Sequence, residues 1–195
     1  MLSCTPMNNT LRSWLIVLPW VAASIVLAAR FRPGEPPAQL PAVTLTTLAG
    51  RQLDATALRG HPLLVTFWSI TCGPCLREIP DLIELHRELA PQGLIILAIA
   101  MPYDPPDRVL TLAHERQLPY SIVLDPMGKT AAAFGEIDAT PTTFLFDAEG
   151  RGVKRIVGGM NVVRMRKAIL ALLPAPPQHA EHAALTPTDH AHALD

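Results

Sequence analysis

The chain has 195 residues and a formal net charge of −1, which leaves room for one ordinary domain plus extensions. Lysine is scarce and acidic and basic residues balance, so no basic footprint for nucleic acid exists. Three cysteines, with Cys4 far from the other two, exclude a structural disulfide framework in the folded part.

Residues 1–12 lead into an uncharged stretch, residues 13–29, that carries Trp14 and Trp20 and is flanked by Arg12, Arg30 and Arg32. Its length fits a single membrane-spanning anchor, and also the core of a signal peptide with Val26-Leu27-Ala28 as a workable cleavage pattern. Either reading exports the downstream domain, and basic residues on both sides leave orientation open. Cys4 has no apolar run before it and so does not read as a lipoprotein cysteine. Residues 30–41 are rich in proline and read as a semi-rigid spacer. A domain is expected over residues 42–173. The Ala, Pro and His tail over 174–195 has no periodicity and is expected to be disordered.

Within the domain, Ala42 to Leu53 suggests a hairpin around Ala49-Gly50-Arg51. Leu63 to Trp68 is an apolar run that reads as a buried strand. Cys72 to Ala90 is helical in pattern, with Ile79, Leu82, Ile83 and Leu89 on one stripe and Pro80 expected to kink it. Leu94 to Ala100 has the continuous apolar run of a central strand buried on both faces. A helix over Asp107 to Gln117, a strand over Tyr120 to Leu124 and a short helix over Lys129 to Phe134 come next. Thr142 to Phe146 and Val153 to Val157 flank the turn Asp147-Ala148-Glu149-Gly150. Asn161 caps a last helix whose Val162, Met165, Ile169 and Leu172 face a core, and Pro174 ends it. Strands alternating with helices predict an α/β fold: a mixed central sheet with helices on both faces.

The chemistry concentrates at Cys72-Gly73-Pro74-Cys75, between a strand and a helix. A first cysteine at a helix N-terminus faces unpaired backbone N–H groups and the positive end of the helix dipole, which favour its thiolate. Pro74 falls in the first turn, where its missing N–H is not needed. Cys75, one turn on, is placed to resolve a mixed disulfide. A zinc site would need four ligands, and no second cysteine pair exists; His179 and His182 lie in the tail with His190 and His192. The expectation is thiol–disulfide exchange with no cofactor and no metal. Glu78 falls one turn beyond Cys75 on the same face. An acidic residue early in a helix is favourable in any case; if buried, a raised pKa would let it exchange a proton with Cys75. Phe67 and Trp68 read as core, with Trp68 near the active-site surface.

Phe67-Trp68 before the motif, Cys72-Gly73-Pro74-Cys75, the continuation to Glu78 and Pro80, Leu124-Asp125-Pro126 and Ala139 to Phe144 resemble the thioredoxin fold. More narrowly they resemble the TlpA-type, membrane-anchored thiol–disulfide oxidoreductases of bacteria, which include the cytochrome c maturation thioredoxins. The resemblance runs from about Pro41 to Leu173 and implies an N-terminal hairpin and a central strand–helix insertion. It implies a cis-proline at Pro141 beside the dithiol, turning the backbone of Thr140 toward an extended substrate segment, with Trp68 nearby. It also implies a carboxylate at Glu78 that tunes the cysteines. The location implied is the bacterial inner membrane with the catalytic domain in the periplasm, or a soluble periplasmic protein after signal cleavage. Partners implied are a protein disulfide substrate and a membrane thiol electron donor; apocytochrome c, a copper-site assembly protein and a general disulfide pool all stay open as that substrate. Relatives often carry tryptophan before the first cysteine; here it is Thr71.

Gly73-Pro74 is the dipeptide of thioredoxin and leans toward a protein-disulfide reductase. An oxidase would use the same site in reverse. A peroxidase of the peroxiredoxin type would want threonine where Ser69 stands. A copper or haem-assembly binding protein without turnover is the rival of a different class, since soft thiolates suit Cu(I). Copper-delivery relatives space their cysteines by three and add a loop histidine, and neither feature is present.

Overall fold

The computed structural model describes residues 19–20, 35–135 and 137–174. The chain divides into residues 1–35 and 36–195, and the sheet, the helices and the dithiol all belong to the second unit. The apolar segment over 13–29, Cys4 and the tail histidines lie outside the described residues, residues 19–20 apart. Among the described residues, no helix is long and apolar enough to cross a membrane.

Seven strands form one sheet: β1 (Thr44–Thr47), β2 (Gln52–Asp54), β3 (Leu63–Trp68), β4 (Ile95–Ala100), β5 (Ser121–Leu124), β6 (Thr142–Phe146) and β7 (Gly152–Val157). Their order is β2-β1-β5-β4-β3-β6-β7. The pairs β3–β4 and β4–β5 are parallel, and the others antiparallel. Within the second unit the described helices are α1 (Gly73–Leu89), α2 (Pro106–Glu115), α3 (Lys129–Ala133) and α4 (Val162–Leu170). The mixed sheet expected from the sequence is therefore present, with the N-terminal hairpin at one edge and the β6–β7 hairpin at the other. The central insertion is α2 with β5, which places β4 in the middle of the sheet.

Period-2 alternation divides β3 between two cores. Leu64 and Trp68 join Leu82, Leu85 and Leu89 of α1, Val109 of α2, and Met165 and Ile169 of α4. Leu63, Val65 and Phe67 join Phe134, Phe144 and Phe146 on the other face, together with Ala131 of α3. Helices thus cover both faces, which is why β3 and β4 read as almost unbroken apolar runs. Between β3 and β6, the buried Thr143 hydroxyl donates to Thr66 Oγ1 at 3.1 Å and so finds its acceptor across the strands.

Some local details differ from expectation. Leu85 is fully buried on α1 whereas Ile83 is only half-buried, so the buried stripe runs through 82, 85 and 89. The helix is unbroken through Pro80, whose missing N–H withdraws the helical donor for the Leu76 carbonyl. Two 3₁₀ turns were not expected, Ala55–Leu58 and Ala90–Gln92. The first is nucleated by Asp54, which accepts from Thr56 N–H and hydroxyl at 2.8 Å. The proline-rich segment is not all spacer. Leu40 is buried and donates its N–H to Gly150 at 2.7 Å, and Gln39 bridges Arg151. Gly152 has no side chain because Pro36 and Pro37 lie against it; a Cβ there would overlap the Pro37 carbonyl.

Candidate active site

Cys72 is the N-cap of α1, in extended conformation, and its Sγ accepts the N–H of Cys75 at 3.2 Å. The helix start therefore offers its free donor to the sulfur. Cys72 and Cys75 are joined as a disulfide with Cα atoms 5.2 Å apart. Cys72 is partly open to solvent whereas Cys75 is 4% exposed. One sulfur can be reached from outside and the other cannot.

Three successive backbone N–H groups in the connection from β3 to α1 are hydrogen-bonded. The Ile70 N–H donates to Asp104 Oδ2 at 2.9 Å, Thr71 N–H to Ser69 Oγ at 3.2 Å, and Cys72 N–H to the Ser69 carbonyl at 3.1 Å. The Ser69 hydroxyl donates to Asp104 Oδ1 at 2.8 Å. On the other side of the disulfide, the Thr140–Pro141 peptide bond is cis, and the Thr140 carbonyl oxygen lies 3.4 Å from Cys72 Sγ. The Pro141 carbonyl accepts Gly158 N–H at 2.8 Å, which ties the segment after β7 to the same place.

Behind the dithiol is a cavity of about 10 Å³, on the order of the space one water needs. Trp68, Cys75, Glu78, Tyr120, Pro141 and Thr66 contribute to its wall. Trp68 Nε1 is buried and bonds to no protein atom. Glu78 is 6% exposed, and its Oε1 accepts a short hydrogen bond from Met160 N–H. Burial pushes its carboxyl above the usual carboxylate range; the Met160 bond opposes that, and Asp81 adds to it. Burial likewise pushes the Tyr120 hydroxyl up.

The structure brings together all six residues singled out from the sequence: Cys72 and Cys75, with Trp68, Glu78, Thr140 and Pro141 around them. Sequence reasoning missed Met160, Tyr120, Thr66 and the Ser69–Asp104 pair. Met160 meets Glu78 across 82 residues, and no local pattern announces such a contact. Among the described residues no three His, Cys, Asp or Glu side chains converge as metal ligands would.

A dithiol that closes to a disulfide at a helix start, one sulfur open and the other buried, on a thioredoxin-like sheet, defines a protein-disulfide oxidoreductase. The chain belongs to the AhpC/TSA family, whose family model matches residues 36–153. It is 33% identical over 134 residues to the thiol-disulfide oxidoreductase ResA of Geobacillus thermodenitrificans, covering 69% of this chain and 76% of that one. A secreted thiol-disulfide isomerase from Corynebacterium glutamicum superposes with a TM-score of 0.63 at 26% identity, over 69% of this chain and 84% of that one. A thiol:disulfide interchange protein of the thioredoxin family from Chlorobium tepidum gives 0.64 at 24% identity, over 71% and 97%. The thioredoxin-like fold and the likeness to TlpA-type oxidoreductases agree with the expectation from the motifs.

Proposed function

We propose that this protein is an exported reductase of protein disulfides. The observation that carries this is the asymmetry of the pair: Cys72 is reachable at the helix start and Cys75 is buried behind it. The Cys72 thiolate attacks one sulfur of a substrate disulfide, forms a mixed disulfide and expels the other substrate thiolate. The Cys75 thiolate then attacks Cys72 Sγ and releases the second substrate thiol. The substrate gains two electrons and the protein is left as the Cys72–Cys75 disulfide. The Thr140 backbone beside Cys72 Sγ supports reading this edge as the place where an extended substrate segment adds as a strand, with Trp68 buried in the wall behind the dithiol. The relatives support protein disulfides as the substrate class, with apocytochrome c, a copper-site assembly protein and a general disulfide pool as the candidates within it. A membrane thiol carrier re-reduces the site, and residues 13–29 anchor the domain in the periplasm or are cleaved after export.

Glu78 takes the proton from Cys75 as the mixed disulfide resolves. Desolvation disfavours its charge, so its ionised form is a stronger base than an exposed carboxylate. The direct test follows oxidation of the reduced protein by insulin disulfides: stoichiometric closure of Cys72–Cys75 with release of insulin thiols is expected, and unchanged insulin would contradict the reading. In the same assay Glu78→Gln is expected to slow resolution at neutral pH, so the mixed disulfide accumulates.

The same substitution makes a linkage prediction. Glu78 has a folded pKa above its unfolded value, so the folded state holds the proton more tightly. Its stabilising contribution is complete below the unfolded pKa and is lost as pH rises through the folded one. Denaturant midpoints of Glu78→Gln minus wild type should therefore move in favour of the variant across that rise. A difference that is flat with pH would show that Glu78 has no raised pKa.

A further inference from the structure

Asp104 is a buried carboxylate in the connection between β4 and α2, 7% exposed. Burying an ionised carboxylate is costly unless its oxygens are hydrogen-bonded. Both oxygens are used, and both partners belong to the connection that leads from β3 to Cys72. Oδ1 accepts the Ser69 hydroxyl at 2.8 Å and Oδ2 accepts the Ile70 N–H at 2.9 Å. The single Ser69 proton goes to Asp104. Ser69 Oγ, 3.0 Å from Thr71 Oγ1, is thus left to accept from the Thr71 hydroxyl and from the Thr71 N–H. The chain of bonds ends one residue before the disulfide, and the Ser69 carbonyl takes the Cys72 N–H itself. Asp104 is in turn fixed by its N–H to the Met101 carbonyl, and Met101 N–H to the Trp68 carbonyl, both at 3.0 Å.

Asp125 provides the contrast. It too is buried and accepts two backbone N–H groups, from Thr130 at 3.1 Å and Ala131 at 2.8 Å. Those partners are five and six residues ahead on the same chain segment, so Asp125 caps a local turn into α3. The Asp104 partners are 34 and 35 residues back, on a different connection. A carboxylate reaching across the sheet end to hold only the approach to Cys72 has no turn of its own to cap there.

We propose that Asp104 is a positioning residue for disulfide exchange, acting through Ser69 and the Ile70 N–H to hold Cys72 Sγ at the start of α1. The inference rests on Cys72 being the attacking thiol. Reactivity is sensitive to such alignment, and a misplacement near 1 Å costs up to about 100-fold in rate.

The test uses the full chain carrying Asp104→Asn, Ser69→Ala or Asp125→Asn. In the reduced proteins, two things are measured: kcat and KM for insulin disulfides, and the rate of iodoacetamide alkylation at pH 7, read by mass on the Cys72 peptide. Ser69→Ala removes the bridge and keeps the net charge, leaving Asp104 Oδ1 without its donor but Oδ2 still bonded to the Ile70 N–H, and so serves as the second variant where Asp104→Asn fails to fold. Both are expected to lower kcat on the order of tenfold with little change in KM, and to slow alkylation. Asp125→Asn is expected to lower the denaturant midpoint and leave both rates alone. Faster alkylation in Asp104→Asn with Ser69→Ala unchanged would mean that the carboxylate acts by its charge alone, and would overturn the proposal. So would wild-type rates in both variants. Absence of exchange or of Cys72 alkylation in the wild type would instead sink the reading of Cys72 itself.

Discussion

Cys72→Ser is expected to bring disulfide exchange to background, while Cys75→Ser is expected to keep the first step and lose the second. A serine hydroxyl has no accessible redox couple and is not ionised near neutrality, so the helix start has no anion to present. With Cys72 intact and Cys75 replaced, attack on a substrate disulfide still forms the mixed disulfide. No internal thiol then displaces the substrate. Non-reducing electrophoresis should show a stable covalent adduct with Cys75→Ser and none with Cys72→Ser. The reverse pattern would exchange the two roles, and it would be hard to reconcile with a Cys75 that is 4% exposed.

The largest stability loss is expected from Phe144→Ala. Phe144 is fully buried on β6. Its ring centre lies 6.0 Å from Phe67, 5.4 Å from Phe134 and 6.3 Å from Phe146, with the Arg155 guanidinium 5.6 Å away. Truncating a buried phenylalanine costs about 3–5 kcal/mol in transfer and cavity terms. Against a typical domain stability of about 5–15 kcal/mol, that is a large share. By comparison, the surface pairs of Arg166 with Glu84 and Glu88 are partly exposed, and such pairs contribute under about 1 kcal/mol. Urea midpoints at constant slope measure the difference. A loss below about 1 kcal/mol would mean that the aromatic cluster repacks around the gap. Phe144 also lies opposite Val65 in the β3–β6 register, and Pro141 immediately precedes β6, so the same core supports both sides of the dithiol.

Which parts of this site could be read from sequence depends on the range of the interactions. The dithiol was legible because its chemistry is local: a strand of buried residues, a two-residue spacing and a helix that starts at the first cysteine. Glu78 was legible as a position, since one helical turn puts it on the face of Cys75. Its burial was not, because that depends on the segment at Met160 closing over it from 82 residues away. Pro141 stood out through the resemblance alone, since nothing local distinguishes it from a proline opening a strand. Ser69 and Asp104 each look like ordinary loop residues until the parallel pairing of β3 with β4 brings the two strand ends side by side. Leu40 is a similar case: it sits in a proline-rich run resembling a linker and finds its place only against the β6–β7 turn.

The reduction potential of the Cys72–Cys75 couple decides in which direction electrons flow through the site. It is read on the full chain from equilibrium with glutathione or dithiothreitol, and each tenfold change in the equilibrium corresponds to about 30 mV. A reductase requires a value toward thioredoxin's, about −270 mV, and that is the expected result. A value toward the strongly oxidising end, about −120 mV, would contradict it and make the protein an oxidase working through the same two sulfurs.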